Sequence, residues 1–467
     1  MSYILGQFNS SISITDTKEA NMKWQITILS FLLTTSSFGS VEAYFNQNTR
    51  SSYKDPYRNI SRSGDNLEAV LLKEIGSAKK SIYMAVQELR LPLIAEALIE
   101  KYKAGVDVRI VLENNYNFTV LDQRDRSTNN EHDASNSREL KAFVDINRDG
   151  RFSKAELESR DAIYMIKNAK IPVMDDSFDS SRGSGLMHHK FVIVDGKSTI
   201  VSTANFTMSC VHGDYNSSSS RGNANSMIHV VSNNFAKIFT EEFAQLWGNG
   251  KRGNFGHNKT YRGSRSTSVG GTKITVQFSP TSQRYNWEES TNGLIASQIA
   301  KATSSIKALL FVFSDQNLAD VMQSRSDKGA KVGVIIEPKF AFRDYSELLD
   351  LMGLEFLNAK CAYEPYNNPW KKPAREVGMA RLPSGDVLHH KFAVIDNKTV
   401  IVGSQNWSDA ANFINDEYAI VIQNSQIAQQ FSQEYERIKR SAAMGAPSWL
   451  KSKIREQEEG CADSGRY

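Results

Sequence analysis

Two stretches of the chain combine residue types that can hold and attack a phosphate group. Leu186-Met-His-His-Lys-Phe-Val-Ile-Val-Asp195 and Leu388-His-His-Lys-Phe-Ala-Val-Ile-Asp396 both read His-x-Lys, four residues, Asp. The recurring set is His188, Lys190 and Asp195, then His389, Lys391 and Asp396. Each is followed by a turn rich in small residues, Ser202-Thr-Ala-Asn205 and Gly403-Ser-Gln-Asn406, so each asparagine stands seventeen residues after its histidine. Imidazole is a nucleophile and proton carrier near neutral pH, lysine a cation, and a carboxamide a neutral donor. A lone histidine on a strand is ordinarily a packed or surface residue, and His189 and His390 are read that way. For His188 and His389, the recurrence of lysine, aspartate and asparagine at one spacing leaves coincidence no room. Two stretches that each offer one imidazole and one ammonium make a site for a phosphate.

The elements that must position these groups are legible around them. The run after each lysine is apolar and rich in valine and isoleucine, which reads as a buried strand. Side chains alternate along a strand, so His188 and Lys190 share one face while His189 points to the other, and likewise His389 and Lys391 against His390. Upstream, Asn66 to Ala78 reads as an amphipathic helix and Ser81 to Gln87 as a strand. Leu93 to Ala104 reads as a helix closed at Gly105, and Val106 to Leu112 as a strand. Ser81 and Ser305, Gly105 and Gly329, and Glu113 and Glu337 all differ by 224, an ungapped register that marks an internal duplication. The two His-Lys motifs differ by only 201, so the first half holds about 23 additional residues between Glu113 and His188.

On both motifs, the chain resembles the phospholipase D superfamily over roughly residues 60–440. Its second copy, His389 to Glu417, looks most like the branch with bacterial periplasmic nucleases and cardiolipin hydrolases. The resemblance implies an α/β fold of two tandem α-β-α halves, each a mixed sheet flanked by helices, pseudo-twofold with one shared active site. It implies that Lys190, Lys391, Asn205 and Asn406 hold the phosphoryl oxygens. One imidazole attacks phosphorus to give a phosphohistidine; the other protonates the leaving oxygen and then activates water. In-line displacement places nucleophile and acid on opposite sides of phosphorus, and no metal is required by this chemistry. In the family the nucleophile is more often the N-terminal histidine, which gives His188 that role and His389 the acid; the residues themselves leave the reverse open. The copies are unequal. Ser202 and Thr203 stand where the family usually has glycine and serine, as Gly403 and Ser404 do in the second. Glu417 is placed to orient an imidazole, while the equivalent Asn225 would stabilise an imidazolium less. Asp195, Asp396, Thr203 and Ser404 are expected to support the site structurally.

The additional residues have a pattern of their own. Asp145, Asn147, Asp149, Arg151, Ser153 and Glu156 occupy the ligand positions of an EF-hand-like calcium loop, with Gly150 at its turn. Flanking helices are expected, giving an insertion at about 137–166. Its Ca²⁺ would be structural, since it lies outside the repeated frame.

Composition bounds the rest. With 40% hydrophobic and 23% charged residues, the chain suits a globular protein of two or more domains. A net charge of +4 is too small to argue for nucleic acid. Cys210, Cys361 and Cys461 are scattered and read as neither disulfide framework nor zinc site. Met22-Lys23, the apolar run Trp24 to Leu33 and Val41-Glu42-Ala43 read as a signal peptide region over 1–43, hence a secreted or periplasmic protein. Its removal takes Lys18 and Lys23 against Asp16, Glu19 and Glu42, leaving +5. The first half is assigned to 56–248, a basic Gly/Ser-rich linker to 249–272, the second half to 273–440, and a loose polar tail to 441–467. The expected partner is a phosphodiester substrate, phospholipid or nucleic acid, with peripheral membrane contact; no protein partner is implied, and a monomer holds both half-sites. The modest charge favours a phospholipid head group. The alternative is a metal-independent endonuclease on DNA or RNA, supported by the branch resemblance and the basic linker; the third reading is a phosphate-binding protein without turnover.

Overall fold

The structure is a computed structural model and describes residues 39–122, 131–179 and 185–463. The strands that follow the two lysines, Lys190–Val194 and Lys391–Ile395, sit at the centre of two separate sheets. The first sheet has seven strands in the order Ser40–Phe45, Ser226–Val231, Ser198–Ser202, Lys190–Val194, Ser81–Val86, Asp107–Leu112, Val173–Asp175. The second has nine, in the order Arg265–Val269, Thr272–Phe278, Tyr418–Gln423, Thr399–Gly403, Lys391–Ile395, Ser305–Leu310, Lys331–Ile336, Glu376–Met379, Ala443–Met444. The duplication is visible in the pairing. Ser81 lies opposite Asp107 in a parallel pair, and Ser305 lies opposite Lys331 in the same way. Each motif strand runs antiparallel to both of its neighbours, so the sheets are mixed.

The continuous apolar runs have a direct cause: these strands are covered on both faces. Phe191 and Ile193 enter one core while Val192 and Val194 enter another. Phe392 and Val394 join the core of Phe191, and Ala393 and Ile395 turn to a third. The molecule therefore has one core shared by the two sheets and one private to each. The helices Asn233–Trp247 and Ser425–Lys439 supply the shared core, through Phe235, Phe239 and Phe243 and through Ile427, Phe431 and Tyr435. The spacing of three or four keeps these side chains on one face of each helix. Ser232 and Asn424 cap the two helices by accepting from Phe235 N–H and Ile427 N–H. Outside, Leu67–Ser77 and Pro92–Lys103 contribute to the first private core, and Thr291–Ile299 and Gln316–Asp327 to the second.

Three expectations are corrected. The first half does not begin at 56, because Ser40–Phe45 is a strand of its sheet, with Ser40 opposite Val231. Cleavage after Ala43 would cut this strand, so residues 40–43 belong to the fold; the apolar run Trp24 to Leu33 lies outside the described residues. The segment 249–272 is not a free linker. Arg265–Val269 forms a hairpin with Thr272–Phe278, and Lys259 is buried against Glu242 at 2.5 Å and Asp416 at 2.6 Å. Arg262 pairs with Glu242 as well. Basic residues stand here because two buried carboxylates need cations beside them. Nor is the tail loose. Ala443–Met444 extends the second sheet, Ser448–Asp463 is a helix with Leu450 fully buried, and Cys461 is disulfide-bonded to Cys361, with 5.7 Å between their Cα atoms. A pairing across a hundred residues leaves no spacing signature, since the fold alone brings the two thiols together.

Candidate active site

The two motifs meet because each half grips the approach to the other's motif. His188 N–H donates to Asp416 O at 3.0 Å and Asp416 N–H to Leu186 O at 2.8 Å. In the mirror arrangement, His389 N–H donates to Ala224 O at 3.1 Å and Ala224 N–H to Val387 O at 2.8 Å. These short parallel bridges deliver the next residue of each half to the opposite imidazole. Glu417 Oε2 lies 2.7 Å from His188 Nδ1, and Asn225 Oδ1 lies 3.0 Å from His389 Nδ1. The orienting groups are thus exchanged between halves. With Nδ1 engaged, Nε2 is the nitrogen each ring has left for chemistry.

The turns after the motif strands hold these orienting groups. Thr203 Oγ1 donates to Asn225 Oδ1 at 2.8 Å, and Ser404 Oγ accepts from Tyr418 N–H at 3.1 Å and also bonds the Glu417 carboxyl. Both lysines are fully buried. Lys190 Nζ donates to Gln87 Oε1 at 3.0 Å and to His188 O at 2.7 Å. Lys391 Nζ donates to His389 O at 2.9 Å and lies 4.7 Å from the ring centre of Phe311. His188, His389 and Asn205 line one cleft of about 210 Å³, with Gln87 and Phe311 in its wall. Asn406 is half-buried at the equivalent turn of the second half and is not part of that lining. Asp195 and Asp396 lie at the far ends of the motif strands. Asp195 accepts from the N–H groups of Lys79, Lys80 and Ser81, and Asp396 from those of Thr303, Ser304 and Ser305. Burial works against both carboxylates, and these backbone N–H groups outweigh it and hold them below the usual range.

Burial governs the protonation of the centre. It lowers both imidazoles well below the ordinary histidine value, with Lys190 and Lys391 adding to the effect, even though Glu417 touches His188. It brings Lys190 down to about 7 and lowers Lys391 further below its ordinary range, with Lys190 contributing. Glu417 is lifted to about 7 by burial, against the pull of the two lysines. These are the properties of a desolvated cationic pocket whose histidines are neutral until an anion arrives. An anion placed beside the two lysines would offset their charge and raise the proton affinity of both imidazoles.

Over residues 71–247 and again over 295–439, the chain matches the family model described as "Cardiolipin synthase, PLD-like domain". The chain belongs to the phospholipase D-like family. The mitochondrial cardiolipin hydrolase of Mus musculus is 28% identical over 153 residues, covering 32% of this chain and 58% of that protein. A phospholipase D of Rickettsia felis is 26% identical over 141 residues, 30% of this chain and 60% of that protein. The chain thus spans about three fifths of the length of each of these two relatives. The crystal structure of phosphatidylserine synthase from Haemophilus influenzae aligns over 92% of this chain and 95% of its own, with a TM-score of 0.55 at 11% identity, which shows the shared fold.

The calcium-loop residues fall inside the first matched range: Asp145 to Ser153 lie between the helices Glu131–Val144 and Lys154–Arg160, and Glu156 stands in the first turn of the second helix. Gly150 has φ +76, the turn that the sixth loop position requires. Asp145 accepts from Asp149 N–H at 3.1 Å and Gly150 N–H at 2.9 Å, and Asn147 Oδ1 from Asp149 N–H. Asp149 accepts from Arg151 N–H; Ser153 and Glu156 form a capping box, and Glu156 also accepts from Ile146 N–H. The donors are all oxygens, three carboxylates among them, which is the chemistry Ca²⁺ takes; among the described residues no three acidic, histidine or cysteine side chains gather as a metal site.

Several residues at the site carried no functional reading in the sequence. Glu113 Oε2 accepts from Met187 N–H at 2.7 Å and Glu337 Oε2 from Leu388 N–H at 2.8 Å, fixing the residue before each His. Their place in the 224-residue register was the available signal. Tyr418 O–H donates to Ser202 O at 2.7 Å, tying the second half to the turn of the first. His189 and His390, fully buried, bond Glu242 and Glu434 on the shared-core helices at 3.2 and 3.0 Å.

Proposed function

We propose that this protein hydrolyses a phosphodiester of a phospholipid head group through a phosphohistidine on His188. The observation that carries the reading is the exchange of orienting groups, which gives two imidazoles of unequal partners in one cleft with two buried lysines. The carboxylate partner suits His188 as nucleophile: Glu417 stabilises the positive charge that the ring acquires when Nε2 bonds to phosphorus. The carboxamide partner suits His389 as acid, because a ring less strongly held as imidazolium releases its proton readily to the leaving alkoxide. In the first step the P–O bond to the alcohol breaks as the N–P bond forms. In the second, His389 takes a proton from water, the hydroxide attacks phosphorus, and the N–P bond breaks. Lys190 and Lys391 offset the charge on the phosphoryl oxygens throughout.

The site of action proposed is outside the cytoplasm. The Cys361–Cys461 disulfide supports this, because such bonds persist in oxidising compartments. We further propose Ca²⁺ at the Asp145 loop as a structural ion. The deciding experiment is head-group release from phospholipid by the purified protein, compared with cleavage of single-stranded DNA, each in EDTA with His188→Ala as control. Release of alcohol from lipid that vanishes in the variant supports the reading. Cutting of DNA alone makes the protein a nuclease and overturns it.

A further inference from the structure

The insertion of the first half does not stand apart from the site. Its helix Glu131–Val144 sends Glu139, Leu140 and Phe143 into the wall of the cleft that holds His188 and His389. From the second half the cleft is lined by Phe311, Val387 and His389. Leu140 and Phe143 are buried, and Phe143 is fixed edge-on between Tyr57 and Tyr215, so the wall is firm and apolar. Glu139 is half-buried, accepts one hydrogen bond from Tyr215 N–H at 3.3 Å, and has no ion-pair partner among the described residues. Of the cations nearby, Arg90 pairs with Glu88 and lies over Phe118, Arg58 pairs with Asp55, and Arg160 lies over the rings of Phe143 and Tyr57. Burial raises the Glu139 carboxyl to about 7, with Asp214 and Glu88 adding to the rise. A carboxylate so placed gains when a ligand brings a positive charge and loses when it brings another negative one.

From the geometry, and resting on the phosphodiesterase reading above, we propose that Glu139 is a specificity-determining residue that selects substrates whose leaving alcohol carries an ammonium group. The cleft, at about 210 Å³, has room for a head group beside the phosphate. Its acidic wall repels the flanking phosphates of a nucleic-acid strand and gives a neutral glycerol head group no ionic contact. The apolar surface of Leu140 and Phe143 accommodates the methylene or methyl carbons around the nitrogen.

The test uses the full-length protein and phospholipids of identical acyl chains in mixed micelles, with ethanolamine, choline or glycerol as head group. Wild type is expected to show kcat/KM at least about tenfold higher for the two amine head groups than for glycerol, the order of one close ionic contact. Glu139→Gln, which keeps the acceptor for Tyr215 N–H, should reduce that ratio about tenfold, mainly through KM, and Glu139→Lys should invert it. A ratio that Glu139→Gln leaves intact, or a wild-type preference for glycerol, overturns this inference while leaving the phosphodiesterase reading in place. If the wild type releases no alcohol from any of the three lipids, that reading fails and the inference with it.

Discussion

In the first half-site Lys190 rests against the carboxamide of Gln87, whereas in the second Lys391 lies against the ring of Phe311. Gln87 and Phe311 are 224 apart and occupy the same place in the duplicated register. The imidazoles differ in the same manner, His188 facing a carboxylate and His389 a carboxamide. The order of the six central strands and the Glu113 and Glu337 anchors are shared, and within the site the inequality lies in side chains that touch a cation or an imidazole. A duplicated scaffold supplies position, and a few substitutions then divide the labour. Identical half-sites would give two rings of equal proton affinity, with nothing to decide which attacks and which protonates.

The largest effect should come from breaking the pair itself. His188→Ala is expected to lower kcat by about 10³-fold or more on any phosphodiester. His389→Ala should do the same with an alkoxide leaving group, but on a p-nitrophenyl ester, which leaves without a proton, it should give a burst followed by a stall. With a p-nitrophenyl phosphodiester the burst reports trapped phosphohistidine, measurable by intact-protein mass spectrometry as the gain of the phosphoryl group together with the second ester substituent that the phosphorus retains. A burst in His188→Ala instead would exchange the two roles. Next in size is the orienting pair. Glu417→Gln should reduce kcat by about 10²-fold, the order of a lost charge-stabilising contact, and Asn225→Asp by about tenfold or less. Equal losses at the two positions would remove the functional inequality proposed here.

A pH effect should follow from the buried lysines. Lys190 is charged below about 7 and neutral above it in the free protein, so the affinity for inorganic phosphate should fall as pH rises through that range. Isothermal titration at pH 6 and pH 8 checks this, and affinity that climbs with pH would contradict the assignment. The smallest effect concerns the element that only the first half possesses. Chelation should lower Tm by a few degrees, consistent with a change of about 1–2 kcal/mol, and Asp145→Ala should be insensitive to it. Turnover should persist in EDTA.

Much of the site was legible because its signals are local. Strand alternation separates His188 and Lys190 from His189, and the recurrence of the motif marks the duplication without any structural knowledge. Glu417 and Asn225 could be named as partners of imidazoles, but not matched to them. Which histidine each meets depends on bridges between residues some 160 to 230 positions apart, and no periodicity records those. The same holds for Cys361 and Cys461, and for Lys259, whose charge reads as solvent-facing until Glu242 and Asp416 are seen beside it. The insertion at about 137–166 reads as structural because it interrupts the repeat, yet the helix Glu131–Val144 borders the cleft, and an interruption next to a cleft is well placed to narrow it.

The exchange of orienting groups also fixes what either half would be worth alone. The first half carries His188 but not the carboxylate that orients it, and the second carries that carboxylate but offers it only outward. Two copies of the first half, docked as the halves dock here, would hold two rings both set by asparagine; two copies of the second would hold two both set by glutamate. Only the unlike pair contains one of each, so the covalent link between the halves guarantees an asymmetry that self-association of either would erase.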